Sequence, residues 1–139
     1  MSCVNSILVP IDFSKDSRLA WEAADAQAEQ WAGGVILLHV KDPRKDVASQ
    51  VTFHYAALKR WSRFVRRIPE DRMAYVYCAG NPAEEILRIA EQFRPRAIIM
   101  GRGGDLHSPG HVVRQVMTGF PGPVGMVSGS TPSASRRAA

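Results

Sequence analysis

The chain has 139 residues, 45% of them hydrophobic and 22% charged, with a net charge of +5, which is the size of one domain and the balance of an ordinary globular protein rather than a disordered one. No apolar run approaches a membrane span and the N-terminus lacks a basic-then-apolar leader, so a cytoplasmic protein with no membrane partner is expected. The charge excess gathers in Lys59 to Arg72, where Lys59, Arg60, Arg63, Arg66 and Arg67 alternate with Leu58, Trp61, Phe64 and Val65; this is the solvated face of an amphipathic helix, and nucleic acid is not an expected partner.

Ser6 to Ile11 is a branched apolar run that reads as a first buried strand, with Pro10 at its carboxyl end where no ladder donor is needed. Asp12 follows, either as a turn or cap residue or as a ligand-facing acid. Ser14 to Ser17 carries N-cap chemistry, and apolar residues from Leu19 to Trp31 keep a helical period that Gly33-Gly34 is predicted to end. Val35 to Val40 is a second apolar strand, completing a right-handed βαβ unit. After a polar connection from Lys41 to Gln50, the basic helix is predicted from Ser49 or Val51 to Arg67, ended by Ile68-Pro69. Met73 to Cys78 reads as the third strand. Cys3 and Cys78 have no metal-ligand spacing and are read as small buried residues, without a disulfide. Asn81-Pro82-Ala83-Glu84 is a capping box, so a third helix should begin at Pro82 and run through Phe93 to the stop at Arg94-Pro95.

Ala97 to Met100 is the fourth strand, and Gly101, Gly103 and Gly104 follow it. Ser108-Pro109 is a helix-start signal, which predicts a fourth helix from about Pro109 with Ser108 as N-cap. Glycines between the carboxyl end of a parallel strand and a helix N-terminus can bare backbone N–H groups to a phosphate, or can simply serve a turn that needs positive φ. Arg102, His107, His111 and Arg114 would add positive charge there, or stand as solvated surface residues. Val112, Val113, Val116 and Met117 form the helix's apolar side before Gly119, and Gly122 to Val127 is the fifth strand. Residues 1–128 are thus one domain and 129–139 a disordered tail of Ser, Ala, Pro and Arg. Alternating strands and helices give an α/β fold, a single doubly wound five-stranded parallel sheet with helices on both faces.

Several separated segments, in order, resemble the universal stress protein family over nearly the whole chain. They are Ile7-Leu8-Val9-Pro10-Ile11-Asp12-Phe13-Ser14, Leu38-His39-Val40, Gly80-Asn81-Pro82-Ala83 with Ile86, and Ile98-Ile99-Met100-Gly101 followed by Pro123-Val124. The resemblance implies a Rossmann-like sheet of the adenine nucleotide alpha hydrolase-like kind and an adenine-nucleotide site for ATP or AMP; the residue spacing itself offers no metal site. In nucleotide-binding members the phosphate loop reads Gly, two residues, Gly, nine residues, then Gly with Ser or Thr. Here Gly101 and Gly104 open the motif and Gly110-His111 closes it after five residues, so the loop is shortened and His replaces the hydroxyl. Arg96 stands where the family usually has Asp before the strand. Residue by residue, the implied nucleotide-binding set is Pro10, Asp12, Val40, Met100, Gly101, Gly104, Gly110, His111 and Val112. The implied role is a stress-response regulator with this altered site, forming a homodimer through the fifth strand. The alternative is a nucleotide-independent dimeric regulator acting through protein partners. No Gly-x-Ser-x-Gly turn, His–carboxylate cluster or metal-ligand spacing is present, so enzymatic activity is not expected.

Overall fold

Ile7, Leu8 and Val9 are wholly withdrawn from solvent, and burying such side chains on both faces is worth about 1.5–3 kcal/mol each. This is why the first apolar run becomes the middle strand, β1 (Ile7–Pro10), of the sheet seen in the computed structural model. The structure describes residues 5–41, 43, 56, 58–63, 67–103 and 110–129. The elements that follow β1 are α1 (Lys15–Trp31), β2 (Val35–Lys41), a helical stretch at 58–63, a short 3-10 turn (Glu70–Arg72), β3 (Met73–Ala79), α2 (Pro82–Phe93), β4 (Ala97–Gly101), α3 (His111–Gly119) and β5 (Val124–Val127). All strand pairs are parallel, in the order β3-β2-β1-β4-β5.

Alternation along each strand divides the core in two. Ile7, Val9, Val35 and Leu37 meet Trp21 and Ala24 of α1, with Leu58 and Trp61 packed against that cluster. Leu8, Ile36, Leu38 and Ile98 point the other way, to Ile86 and Ala90 of α2 and Val113 and Val116 of α3. Helices therefore cover both faces, as expected. Lys59, Arg60, Arg63 and Arg67 are exposed, in keeping with a solvated basic face; residues 49–55, 57 and 64–66 of that predicted helix, Cys3, and the tail from 130 lie outside the described residues.

Three local expectations are corrected. The end of α1 is made by Ala32, in the left-handed region at φ 53, with Ala32 N–H donating to Glu29 O and Gly33 N–H to Ala28 O. Gly33 serves close packing instead, since a Cβ there would stand 2.0 Å from the Asn5 carbonyl oxygen. The fourth predicted helix, α3, starts at His111 with Gly110 as N-cap, two residues after the predicted start, because Gly110 is extended and its N–H is spent on Arg102 O. Cys78 is only half-buried. It lies on the outermost strand, near Glu85 and Arg88. Burial and the neighbouring Glu85 carboxylate push its thiol pKa up, while Arg88, 2.8 Å from Glu85, holds that carboxyl below its usual range. By contrast, Asn81 caps α2 as expected, its Oδ1 accepting from Glu84 N–H at 3.1 Å.

Candidate functional site

In an open parallel sheet the chain connections part where the strand order reverses, leaving a crevice outside the carboxyl ends of two neighbouring strands. Here β1 goes on to β2 on one side and is flanked by β4 on the other, so the reversal lies between β1 and β4. The residues leaving those two strands are Pro10-Ile11-Asp12-Phe13 and Gly101-Arg102-Gly103.

On the β1 side the turn is held by side chains. Ile11 is buried and its N–H donates to Leu38 O at 2.7 Å. The imidazole of His39, on β2, lies 2.8 Å from Ile11 O; a carbonyl only accepts, so the proton is on Nδ1. Phe13 takes a left-handed backbone, φ 65, unusual for a bulky residue. Its ring packs edge-on to His39 at 5.0 Å and against Trp61 at 5.7 Å. Asp12 is exposed and its Oδ1 accepts from Ser14 N–H at 2.9 Å, so the turn reading of this residue is realised with one carboxylate oxygen. Ser14 in turn caps α1, its Oγ accepting from Ser17 N–H. Val40 stands near the end of β2, beside Cys78 in register.

On the β4 side the backbone itself makes the structure. Met100 is buried, and Gly101 ends the strand pressed against the first turn of α1. A Cβ on Gly101 would stand 2.8 Å from Asp16 Cβ and 3.0 Å from Ser17 N, which leaves room only for hydrogen. Arg102 N–H donates to Val127 O and Gly110 N–H to Arg102 O, each at 2.9 Å. The excursion after Gly103, itself at φ 60, therefore returns to its own starting point at Gly110. Gly104 and residues 105–109, His107 included, lie outside the described residues.

Gly110 offers no side chain to cap α3. Arg114 N–H donates to Gly110 O at 3.1 Å, so the N–H groups of His111, Val112 and Val113 are the first-turn donors that precede the helical ladder. Val112 is half-buried, whereas His111 and Arg114 are exposed. The structure thus brings Pro10, Asp12 and Val40 to one rim of the crevice and Met100, Gly101, Gly110, His111 and Val112 to the other.

Three residues that build this region were given no role by sequence reasoning. His39 and Phe13 stood only as members of the segments that resemble the family, and His39 also interrupts an apolar run. Asp16 accepts from Gly129 N–H at 3.0 Å, which ties the chain after β5 to the first turn of α1; its first-turn acidity signalled only a helix-dipole role. Arg96 finds its purpose at the other end of the sheet, where its guanidinium lies 3.9 Å from the Trp31 ring centroid and its backbone N–H donates to Ser6 O. A cavity of about 620 Å³ also lies at that end, lined by Leu87, Ala90, Phe120 and Pro121 with Glu91 and Arg94, away from the crevice. Among the described residues, no group of three His, Cys, Asp or Glu is placed to hold a metal ion, and no helix is long and apolar enough to cross a membrane.

Residues 4–128 match the Universal stress protein family. Among solved structures, the chain is similar to the hypothetical protein MJ0577, the subject of a structure-based assignment of biochemical function, with 27% identity, TM-score 0.72, and 90% of this chain and 96% of that one covered. It is also similar in fold to universal stress protein UspA from Lactobacillus plantarum, with 19% identity, TM-score 0.77 and coverage of 92% and 100%. A third is a universal stress protein in complex with cAMP, with 18% identity, TM-score 0.71 and coverage of 91% and 98%. No curated protein sequence matches the chain.

Proposed function

Because the chain belongs to the universal stress protein family, we propose that it is a stress-response regulator that holds an adenine nucleotide in the crevice between β1 and β4. The observation that carries this reading is the convergence of Asp12 and of the Gly101 and Gly110 backbone on the two rims of one strand-order reversal. Asp12 would face the base and ribose end. The first-turn N–H groups of α3 would face phosphate, where donors and helix dipole favour an anion. A structurally similar family member holds cAMP, which supports an adenine monophosphate as the ligand class. The five-residue interval between Gly104 and Gly110 supplies fewer backbone donors than a full-length cradle. It therefore favours a monophosphate over ATP.

Calorimetric titration with AMP, cAMP and ATP tests this. Micromolar binding of AMP, weaker binding of ATP, and at least a tenfold loss in Asp12→Ala are the expected results. No heat with any nucleotide, on protein shown free of bound ligand, would leave the nucleotide-independent regulator as the better reading. A homodimer is part of either proposal. Among the described residues β5 pairs only with β4, and Val124 and Met126 on it are incompletely buried, so a second copy has a strand edge to cover. Sedimentation at micromolar concentration should then give twice the monomer mass.

A further inference from the structure

The cavity of about 620 Å³ at the amino end of the sheet lies between two elements. Leu87, Ala90, Glu91 and Arg94 line it at a spacing of three and four residues, which is one side of the last turns of α2 and its cap. Facing them are residues 119–122, the turn from α3 into β5. Ala90 and Pro95 are buried and make an apolar floor. The walls are seated on glycines: a Cβ on Gly119 would stand 2.6 Å from Leu87 Cδ1, and one on Gly122 2.8 Å from Phe120 Cε2. A preformed apolar cavity of this volume with a few polar groups is the usual form of a small-molecule site. Its charged groups are Glu91 and Arg94, both exposed. Opposite charges three residues apart on a helix are placed to pair, as Glu85 and Arg88 do on the same helix at 2.8 Å. Glu91 and Arg94 do not: among the described residues neither side chain makes an ion pair or hydrogen bond. Arg94, at φ 50, has left the helical backbone that would hold it over Glu91. On the opposite wall α3 ends with no basic residue in its last turn, so its carbonyl end adds to the negative potential of Glu91.

We propose that this cavity binds a short apolar peptide, of dipeptide size, by its two free termini. Glu91 takes the terminal ammonium, Arg94 takes the terminal carboxylate through its forked N–H groups, and the apolar side chains lie against Leu87, Ala90 and Phe120. A ligand with both charges answers both unpaired groups, whereas an apolar anion or an apolar amine answers only one. A single amino acid carries its two charges on one carbon and leaves much of the volume empty. Two extended residues separate their termini by about 7 Å, which suits side chains rooted about one helical turn, roughly 5 Å, apart. A nucleotide brings no ammonium for Glu91, and the site is independent of the crevice at the other end of the sheet.

The test is calorimetric titration of the full chain with the dipeptide Leu-Phe, its N-acetyl form, its C-terminal amide and the doubly blocked form. Saturable one-site binding of Leu-Phe is expected, and each single block should weaken it roughly tenfold, the loss of one hydrogen bond to a charged group. Glu91→Gln should weaken Leu-Phe by a similar factor without further weakening the acetylated form, and Arg94→Gln should do the same with respect to the amide, because each pair of changes removes one contact. Both side chains are exposed, so thermal midpoints should match that of the unaltered protein. An excess of AMP should leave the titration unchanged. No heat with Leu-Phe, undiminished affinity in both variants, or competition by AMP would overturn the proposal. So would equal binding of the acetylated form, in favour of an apolar anion; of the amide, in favour of an apolar amine; or of the doubly blocked form, in favour of an internal protein segment.

Discussion

The two rims of the crevice are built by different means. The β1 rim is a side-chain structure, in which His39 grips Ile11 O, Phe13 is held left-handed between His39 and Trp61, and Asp12 braces Ser14. The β4 rim is a backbone structure, in which glycine at 101 admits the first turn of α1 and two main-chain hydrogen bonds through Arg102 close the loop. A rim made of side chains changes shape when a side chain is exchanged, whereas one made of main chain yields only where a Cβ is added. The contrast also separates what each rim could recognise, since side chains distinguish a base or sugar while bare N–H groups suit any phosphate.

The sharpest attack on that contrast is Gly101→Val. Its Cβ would collide with Asp16 and Ser17, and such overpacking costs roughly 1–3 kcal/mol, read as a lower urea midpoint at unchanged m value; an unshifted midpoint would show that α1 does not rest on β4 there. Next is His39→Ala on the opposite rim. Losing a hydrogen bond worth about 1 kcal/mol and ring contacts worth about 0.5–1.5 should remove roughly 2 kcal/mol in the same assay. Combined with Phe13→Ala the losses should fall short of additive, because the two rings share one contact. Gly103→Ala should cost about 1 kcal/mol, the penalty of a Cβ at φ 60, with Gly103→Asn milder.

The smallest effect is kinetic and lies beside the β1 rim. Cys78 neighbours Val40 in register, and its raised pKa means less thiolate at any given pH than an ordinary thiol has. Alkylation at pH 8, followed by mass spectrometry, should be slower at Cys78 than for cysteine in a short peptide. Glu85→Gln should quicken it, by removing one of the two causes that raise the pKa.

The parallel sheet, its strands to within about two residues at the ends, the Ser14 and Asn81 caps and the helices on both faces were legible in the sequence. Each follows from a local rule, either the period of apolar residues or the chemistry of a cap, which acts over a few neighbouring positions. The family likeness was legible for the same reason, being carried by short motifs in order. What escaped were features fixed by residues far apart in the chain. Ala32 rather than a glycine takes the left-handed cap because Gly33 must lie against Asn5. α3 begins at His111 because Gly110 is bonded to Arg102. Asp16 meets Gly129 across 113 positions and His39 meets Ile11 across 28. Local preference decided which elements form. Only the tertiary structure decided which side chains meet at the crevice, because those contacts exist only once the sheet has brought distant segments together.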